Sequence, residues 1–68
     1  MIASACRIFM NEQLHWTLQA TCGQCAFESR AALHMGLAIH CPHCDTSIEI
    51  DPTKTVFHRE NGAGYWAY

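Results

Sequence analysis

Basic side chains are scarce in this chain. Four Lys and Arg stand against six Asp and Glu in 68 residues, a formal net charge of −2. The single lysine is Lys54, and Arg7, Arg30 and Arg59 are scattered. A nucleic-acid-binding domain normally shows a basic patch, and an extensive phosphate footprint depends on Lys and Arg to neutralise charge. The sequence excludes such a footprint. Long hydrophobic runs are also lacking. The longest nearly apolar stretch, residues 31–39, is interrupted by His34 and Gly36 and is too short to span a bilayer. The opening MIASAC ends in a lipobox-like ASAC at Cys6, without the charged and apolar regions of an export signal. A cytoplasmic, reducing setting is therefore the expectation.

Large apolar side chains are few as well. Half the chain is hydrophobic, but that half includes nine Ala and five Cys. A core this thin balances chain entropy poorly. Chains below roughly 70–80 residues usually carry a disulfide, a metal or a partner subunit as a staple. No enzyme with a large pocket is expected, and no nucleophile or carboxylate stands beside a histidine in a recognisable catalytic arrangement.

The cysteines supply the staple. Cys22-Gly-Gln-Cys25 and Cys41-Pro-His-Cys44 are two C-x2-C pairs separated by fifteen residues, a spacing read as a structural zinc site. Two residues between cysteines allow both sulfurs to turn toward one point. Two such turns facing each other make a tetrahedron of thiolates, which Zn²⁺ accepts at about 2.3 Å per bond. Four thiolates leave no open position, so the expected cofactor is one structural zinc ion at Cys22, Cys25, Cys41 and Cys44. Tetrahedral sulfur also suits iron. In a reducing compartment, metal chemistry displaces two disulfides as the explanation. His40 and His43 flank the second pair and are read as neighbours of the site rather than ligands. Cys6 is the odd cysteine, read as a modest apolar residue or a free thiol.

Hydrophobic patterning places these pairs on strands. Leu14, Trp16, Leu18 and Ala20 alternate with His15, Thr17, Gln19 and Thr21, which predicts a half-buried strand entering Cys22. Residues 37–40 read as a strand entering Cys41, and residues 46–50 as another, ended by Asp51-Pro52. Residues 55–60 and 65–68 around Asn61-Gly62-Ala63-Gly64 predict a terminal hairpin. Residues 29–35 are open between a short helix capped by Ser29 and a strand with a turn, with the helix slightly favoured. Residues 1–13 read as a lead-in, and residues 14–68 as one domain. Trp16, Phe27 and Phe57 are expected to fill the core.

TCGQC at 21–25 and HCPHC at 40–44, with their flanking strands over about 14–52, resemble the zinc-ribbon superfamily. The resemblance implies two zinc knuckles on two β-hairpins and a three-stranded antiparallel sheet. Ribbon knuckles commonly place Gly after the second Cys, where this chain has Ala26 and Asp45. LAIHCPHCDTSIEI at 37–50 also resembles the small phage zinc-ribbon regulators of the Com type, which implies messenger-RNA binding. The Lys and Arg abundant in those proteins are missing here.

The expected class is thus a small zinc-stabilised mainly-β domain acting as a binding or regulatory module and not as an enzyme. A protein partner is the first expectation, given the acidic balance and the aromatic Tyr65-Trp66-Ala67-Tyr68. A tetrathiolate zinc takes the net charge from −2 to about −4. Nucleic acid is the alternative, with Arg30, His34, His40, His43, Arg59 and the aromatics as contacts. No membrane and no small-molecule substrate are expected, and the sequence leaves the oligomeric state open.

Overall fold

A computed structural model describes residues 1–33 and 36–68. Seven strands account for half of them: β1 (Ala5–Met10), β2 (Trp16–Thr21), β3 (Glu28–Ala32), β4 (Ala38–His40), β5 (Ser47–Glu49), β6 (Val56–Glu60) and β7 (Ala63–Ala67). Five form an antiparallel sheet in the order β3-β2-β1-β7-β6, and β4 and β5 form a separate antiparallel ladder. The mainly-β class expected from the sequence holds, with a five-stranded sheet in place of three strands.

Residues 1–13, expected to be a lead-in, supply the central strand. β1 pairs with β2 over six residues and with β7 on its other side. Nearly every position of β1 except Arg7 is apolar, so no alternation marked it as a half-buried strand. Its two faces differ nonetheless. Cys6 is buried and Ile8 packs on the core, while Arg7 lies on the other face with Phe9. Residues 1–3 then join the two sheets. The Glu49 N–H donates to Met1 O at 2.7 Å, and the Ala3 N–H donates to Glu49 O at 2.8 Å.

The turn between β1 and β2 corrects the start of the predicted strand. Leu14 lies in the turn with φ 62° and is exposed, so the strand begins at Trp16. Asn11 fixes this turn, its side-chain oxygen accepting the N–H groups of Gln13 and His15 at 2.9 and 3.0 Å. The terminal hairpin forms as expected. Asn61 and Gly62 both have positive φ, 51° and 81°, as a tight turn matching strand twist requires.

The helix favoured at 29–35 is replaced by β3 over its first part; His34 and Met35 lie outside the described residues. β2 overrides local preference by pairing with all five β3 residues. Ser29 consequently points into the core opposite Ala20 instead of capping a helix. Its hydroxyl is buried without a hydrogen-bond partner.

The core lies between the two sheets. Leu18 and Ala20 of β2 and Cys6 of β1 pack with Ile39 of β4, Ile48 of β5, Ile50, Ala3, Cys22 and Cys41. Most of these side chains are small, as the composition implied. Trp16, Phe27 and Phe57, expected inside, are 42%, 41% and 46% exposed. The two-stranded ladder is too small to cover a five-stranded sheet, and β6 contributes no buried residue.

Tyr68 closes the layers. Its backbone exchanges hydrogen bonds of 3.1 Å with Cys6, its hydroxyl donates to Ala3 O at 3.1 Å, and the Asp51 N–H donates to that hydroxyl at 3.3 Å. Removing the hydroxyl in Tyr68→Phe leaves both partners short of a bond. We expect a loss of about 1–2 kcal/mol in urea unfolding. Ser29→Ala removes an unpartnered buried hydroxyl and should leave stability unchanged or raise it by up to about 1 kcal/mol. Burial pushes the Cys6 thiol and the Tyr68 phenol above their ordinary values of 9.0 and 10.0. Both groups are neutral when protonated, so the fold favours the protonated forms. Their contribution is complete below those ordinary values and is lost as pH rises past them toward the folded-state values. Unfolding midpoints should therefore fall on the alkaline side, less so in Cys6→Ala.

Candidate metal centre

Each C-x2-C pair forms the tip of a hairpin. Cys22 follows β2 and Cys25 precedes β3, while Cys41 follows β4 and Cys44 precedes β5. The two tips have the same backbone wiring. The Cys22 N–H donates to Phe27 O at 2.9 Å and the Ala26 N–H to Cys22 O at 3.0 Å. The Cys41 N–H donates to Thr46 O at 2.8 Å and the Asp45 N–H to Cys41 O at 2.9 Å. Closing each loop takes a left-handed residue after the second cysteine, and Ala26 and Asp45 have φ 64° and 62°. The turn is thus kept although neither residue is Gly. An L-residue in this region carries a steric cost of roughly 1–2 kcal/mol, which Asp tolerates better than Ala.

The tips bring the four sulfurs together. All four lie within 4.8 Å of one another. Cys22 Sγ is 3.6 Å from Cys44 Sγ, and Cys25 Sγ is 3.5 Å from Cys41 Sγ. Tetrahedral coordination at about 2.3 Å per bond separates sulfurs by about 3.8 Å. These spacings are close to that figure and far beyond a disulfide bond of about 2.05 Å. All five cysteines are free thiols. The arrangement can hold one metal ion between the two sheets, because each sheet supplies two sulfurs.

The surroundings favour thiolates unequally. Backbone N–H groups of Cys25 and Gln24 point at the Cys22 sulfur and, outweighing burial, bring its pKa down to about 6. Cys41 is also lowered: burial opposes ionisation, but N–H groups of Cys44 and His43 and the neighbouring thiols overcome it. The Phe27 N–H favours the Cys25 thiolate, yet burial and three neighbouring sulfurs push that pKa up to about 12. Four crowded sulfurs therefore do not all ionise unaided, and a bound cation would supply the missing charge.

Contacts across the gap support the pairing of the tips. The Phe27 and His43 rings stack with centroids 5.7 Å apart and planes within 6°. The Thr46 hydroxyl accepts from Cys44 Sγ at 3.2 Å and donates to Gln24 Oε1 at 3.3 Å. His40 Nε2 meets Asp45 Oδ1 at 2.5 Å. His40 and His43 thus make their contacts beside the cluster. Cys6 is buried in the core and stands outside the group of four.

The contacts expected for nucleic acid are not gathered. His40 and His43 lie at the knuckle and Arg59 alternates to the side of Phe57; His34 lies outside the described residues. Arg30 instead shares a face with Arg7 and Phe9, two residues the sequence reading left in the lead-in. The Phe27–His43 stack was also missed, because only folding brings the residues after one knuckle against those inside the other.

No protein-family model, curated protein or solved structure matches the chain. The site itself defines the class: a small mainly-β protein with four thiols on two hairpin tips, placed to hold a metal ion.

Ala26→Gly should relieve the left-handed strain. Against the greater unfolded-state freedom of Gly, the net gain expected is about 0.5–1 kcal/mol, read as a higher thermal midpoint of the metal-loaded protein. An unchanged or lower midpoint would show that the Ala26 methyl contributes packing that outweighs the strain.

Proposed function

We propose that this chain is a zinc-ribbon-type binding module, in which one structural zinc ion at Cys22, Cys25, Cys41 and Cys44 holds the fold. Its work is contact with another macromolecule and not chemistry at the metal. The observation that carries this reading is the closed set of four sulfurs within 4.8 Å, two from each sheet. A site with four protein thiolates has no open position for substrate or water. Zinc is taken over iron because two C-x2-C pairs at this spacing are the pattern of structural zinc sites.

A protein is the first partner class for the inner side of the terminal hairpin. Phe57 and Trp66 are exposed there. Phe57 and Trp66 meet edge to face at 5.0 Å. Aromatic residues with little charge around them are the composition of interface centres.

The zinc reading is tested by native mass spectrometry and X-ray absorption on protein purified without added metal and on protein refolded with zinc. One zinc per chain with four sulfur neighbours at about 2.3 Å is expected. Nitrogen or oxygen neighbours, or fewer than four sulfurs, would remove the closed tetrathiolate. Changing any one of the four cysteines to Ser should abolish the cooperative thermal transition, since structural zinc contributes on the order of 10–16 kcal/mol in small domains.

A further inference from the structure

The large sheet ends on a strand that buries nothing. β6 is an edge in the order β3-β2-β1-β7-β6, and all five of its residues are exposed. Val56 is 57% exposed and Phe57 46%. Edge strands are normally blunted by Pro, Lys, a bulge or a covering segment. β6 contains no Pro or Lys, and it pairs with β7 through five consecutive residues without a bulge.

The hairpin turn determines which backbone groups this edge offers. Asn61 and Gly62 make a two-residue turn with Glu60 opposite Ala63. In such a hairpin the closing residues exchange both hydrogen bonds, and bonded and non-bonded pairs alternate from there. Val56 and His58 therefore bond to β7. The N–H and C=O groups of Phe57 and Arg59 point outward.

The side chains sort by face. Phe57 and Arg59 lie on the inner face, opposite Trp66 and Gly64 of β7. The Phe57 ring meets Trp66 edge to face and fills the space over Gly64, where a Cβ would stand 2.4 Å from it. Among the described residues, Arg59 has no carboxylate within ion-pair distance and no aromatic ring against its guanidinium. Val56, His58 and Glu60 lie on the outer face. There His58 stacks on Tyr65 at 5.2 Å, and Tyr65 carries the Arg7 guanidinium at 4.5 Å. The outer rings are thus engaged within the chain, while an unused cation and a half-exposed ring remain on the inner side of the edge.

We propose that this edge takes a second copy of the chain, with β6 pairing antiparallel to β6 about a two-fold axis at His58. The proposal rests on the reading of the terminal hairpin as a protein-contact surface, and it names the partner. His58 is the middle residue of β6, so of the symmetric registers only this one pairs the whole strand. It sets Phe57 opposite Arg59 of the second copy, and Arg59 opposite Phe57 of that copy. These are the residues with outward backbone groups, so each such pair exchanges both of its hydrogen bonds. Each guanidinium also gains a ring across the strands. Glu60 faces Val56, so carboxylates do not meet. A register centred on Arg59 would set two guanidinium groups opposite each other, which is destabilising. One centred on Phe57 would leave Arg59 and Glu60 beyond the strand of the other copy. Pairing of β6 with a different edge would not close on itself and would grow into filaments. One short strand makes a small, transient interface, with a dissociation constant on the order of 10–100 µM.

Sedimentation velocity of the zinc-loaded full chain, from about 5 to 500 µM, reads the association. A monomer–dimer equilibrium without larger species is expected. Arg59→Gln removes the cation–ring contact on both sides of the axis and should weaken the dimer about tenfold. Arg30→Gln, at the far edge of the sheet, should leave it unchanged. Disulfide trapping reads the register, with the unsubstituted chain, whose Cys6 is buried, as the blank. At the axis the two copies of residue 58 would have Cα atoms about 4.5 Å apart, within disulfide reach, so His58→Cys should cross-link on mild oxidation. Val56→Cys should not, because its two copies would lie about 13 Å apart along the strands. Monomer at every concentration, from protein that holds one zinc and melts cooperatively, would overturn the proposal and leave the metal centre intact. So would growth into larger assemblies, or equal trapping at residues 56 and 58. Undiminished folding and dimerisation in excess chelator would instead overturn the zinc reading and leave this edge in place.

Discussion

Four sulfurs from two separate sheets meet at one point, and the rest of the fold depends on that meeting. The hairpin β2–β3 belongs to the large sheet and β4–β5 to the small one, and each offers two thiols at its tip. Without a cation, the sulfurs oppose one another's ionisation, as the divergent Cys22 and Cys25 show. With a divalent ion between them, the same crowding becomes attraction. The core it braces is built largely from Ala, Cys and Ile, with Leu18 and Ile48 as its largest fully buried side chains. A layer of that kind does not hold two sheets together comfortably alone.

The remaining bonds are auxiliary to this junction. Residues 1–3 cross between the sheets through the Glu49 backbone, and Tyr68 binds Ala3 and the Asp51 loop. Gly23 shows how closely the crossing segment lies on the first knuckle: a Cβ there would stand 2.6 Å from Ile2 O. The opening segment, the metal loop and the closing strand therefore interlock. Among the described residues, the same division leaves β6 and the outer face of the large sheet without a covering layer.

The cysteine cluster was legible in the sequence because the spacing of its two pairs is local and chemically specific. The strand from Trp16 to Thr21 and the Asn61-Gly62 hairpin were legible for the same reason: one has a period of two, the other demands positive φ. β1 was not, because apolar residues occupy both of its faces. β3 was not, because Ser29, Ala31 and Ala32 are compatible with a helix and only pairing with β2 decides against it. The aromatic residues misled most. Phe57 and Trp16 belong inside by hydrophobicity, but the small sheet is too narrow to cover them. The Arg7–Phe9–Tyr65–Arg30 cluster joins three strands far apart in sequence, so no local signal could have shown it.

The central claim is that the metal junction, and not the apolar core, holds the two sheets. The most direct test is an amide NMR spectrum of the full chain recorded in excess chelator under reducing conditions, then during titration with zinc. The account predicts a collapsed spectrum without metal and a dispersed one that is complete at one equivalent. A dispersed spectrum in chelator, unchanged on adding zinc, would contradict it.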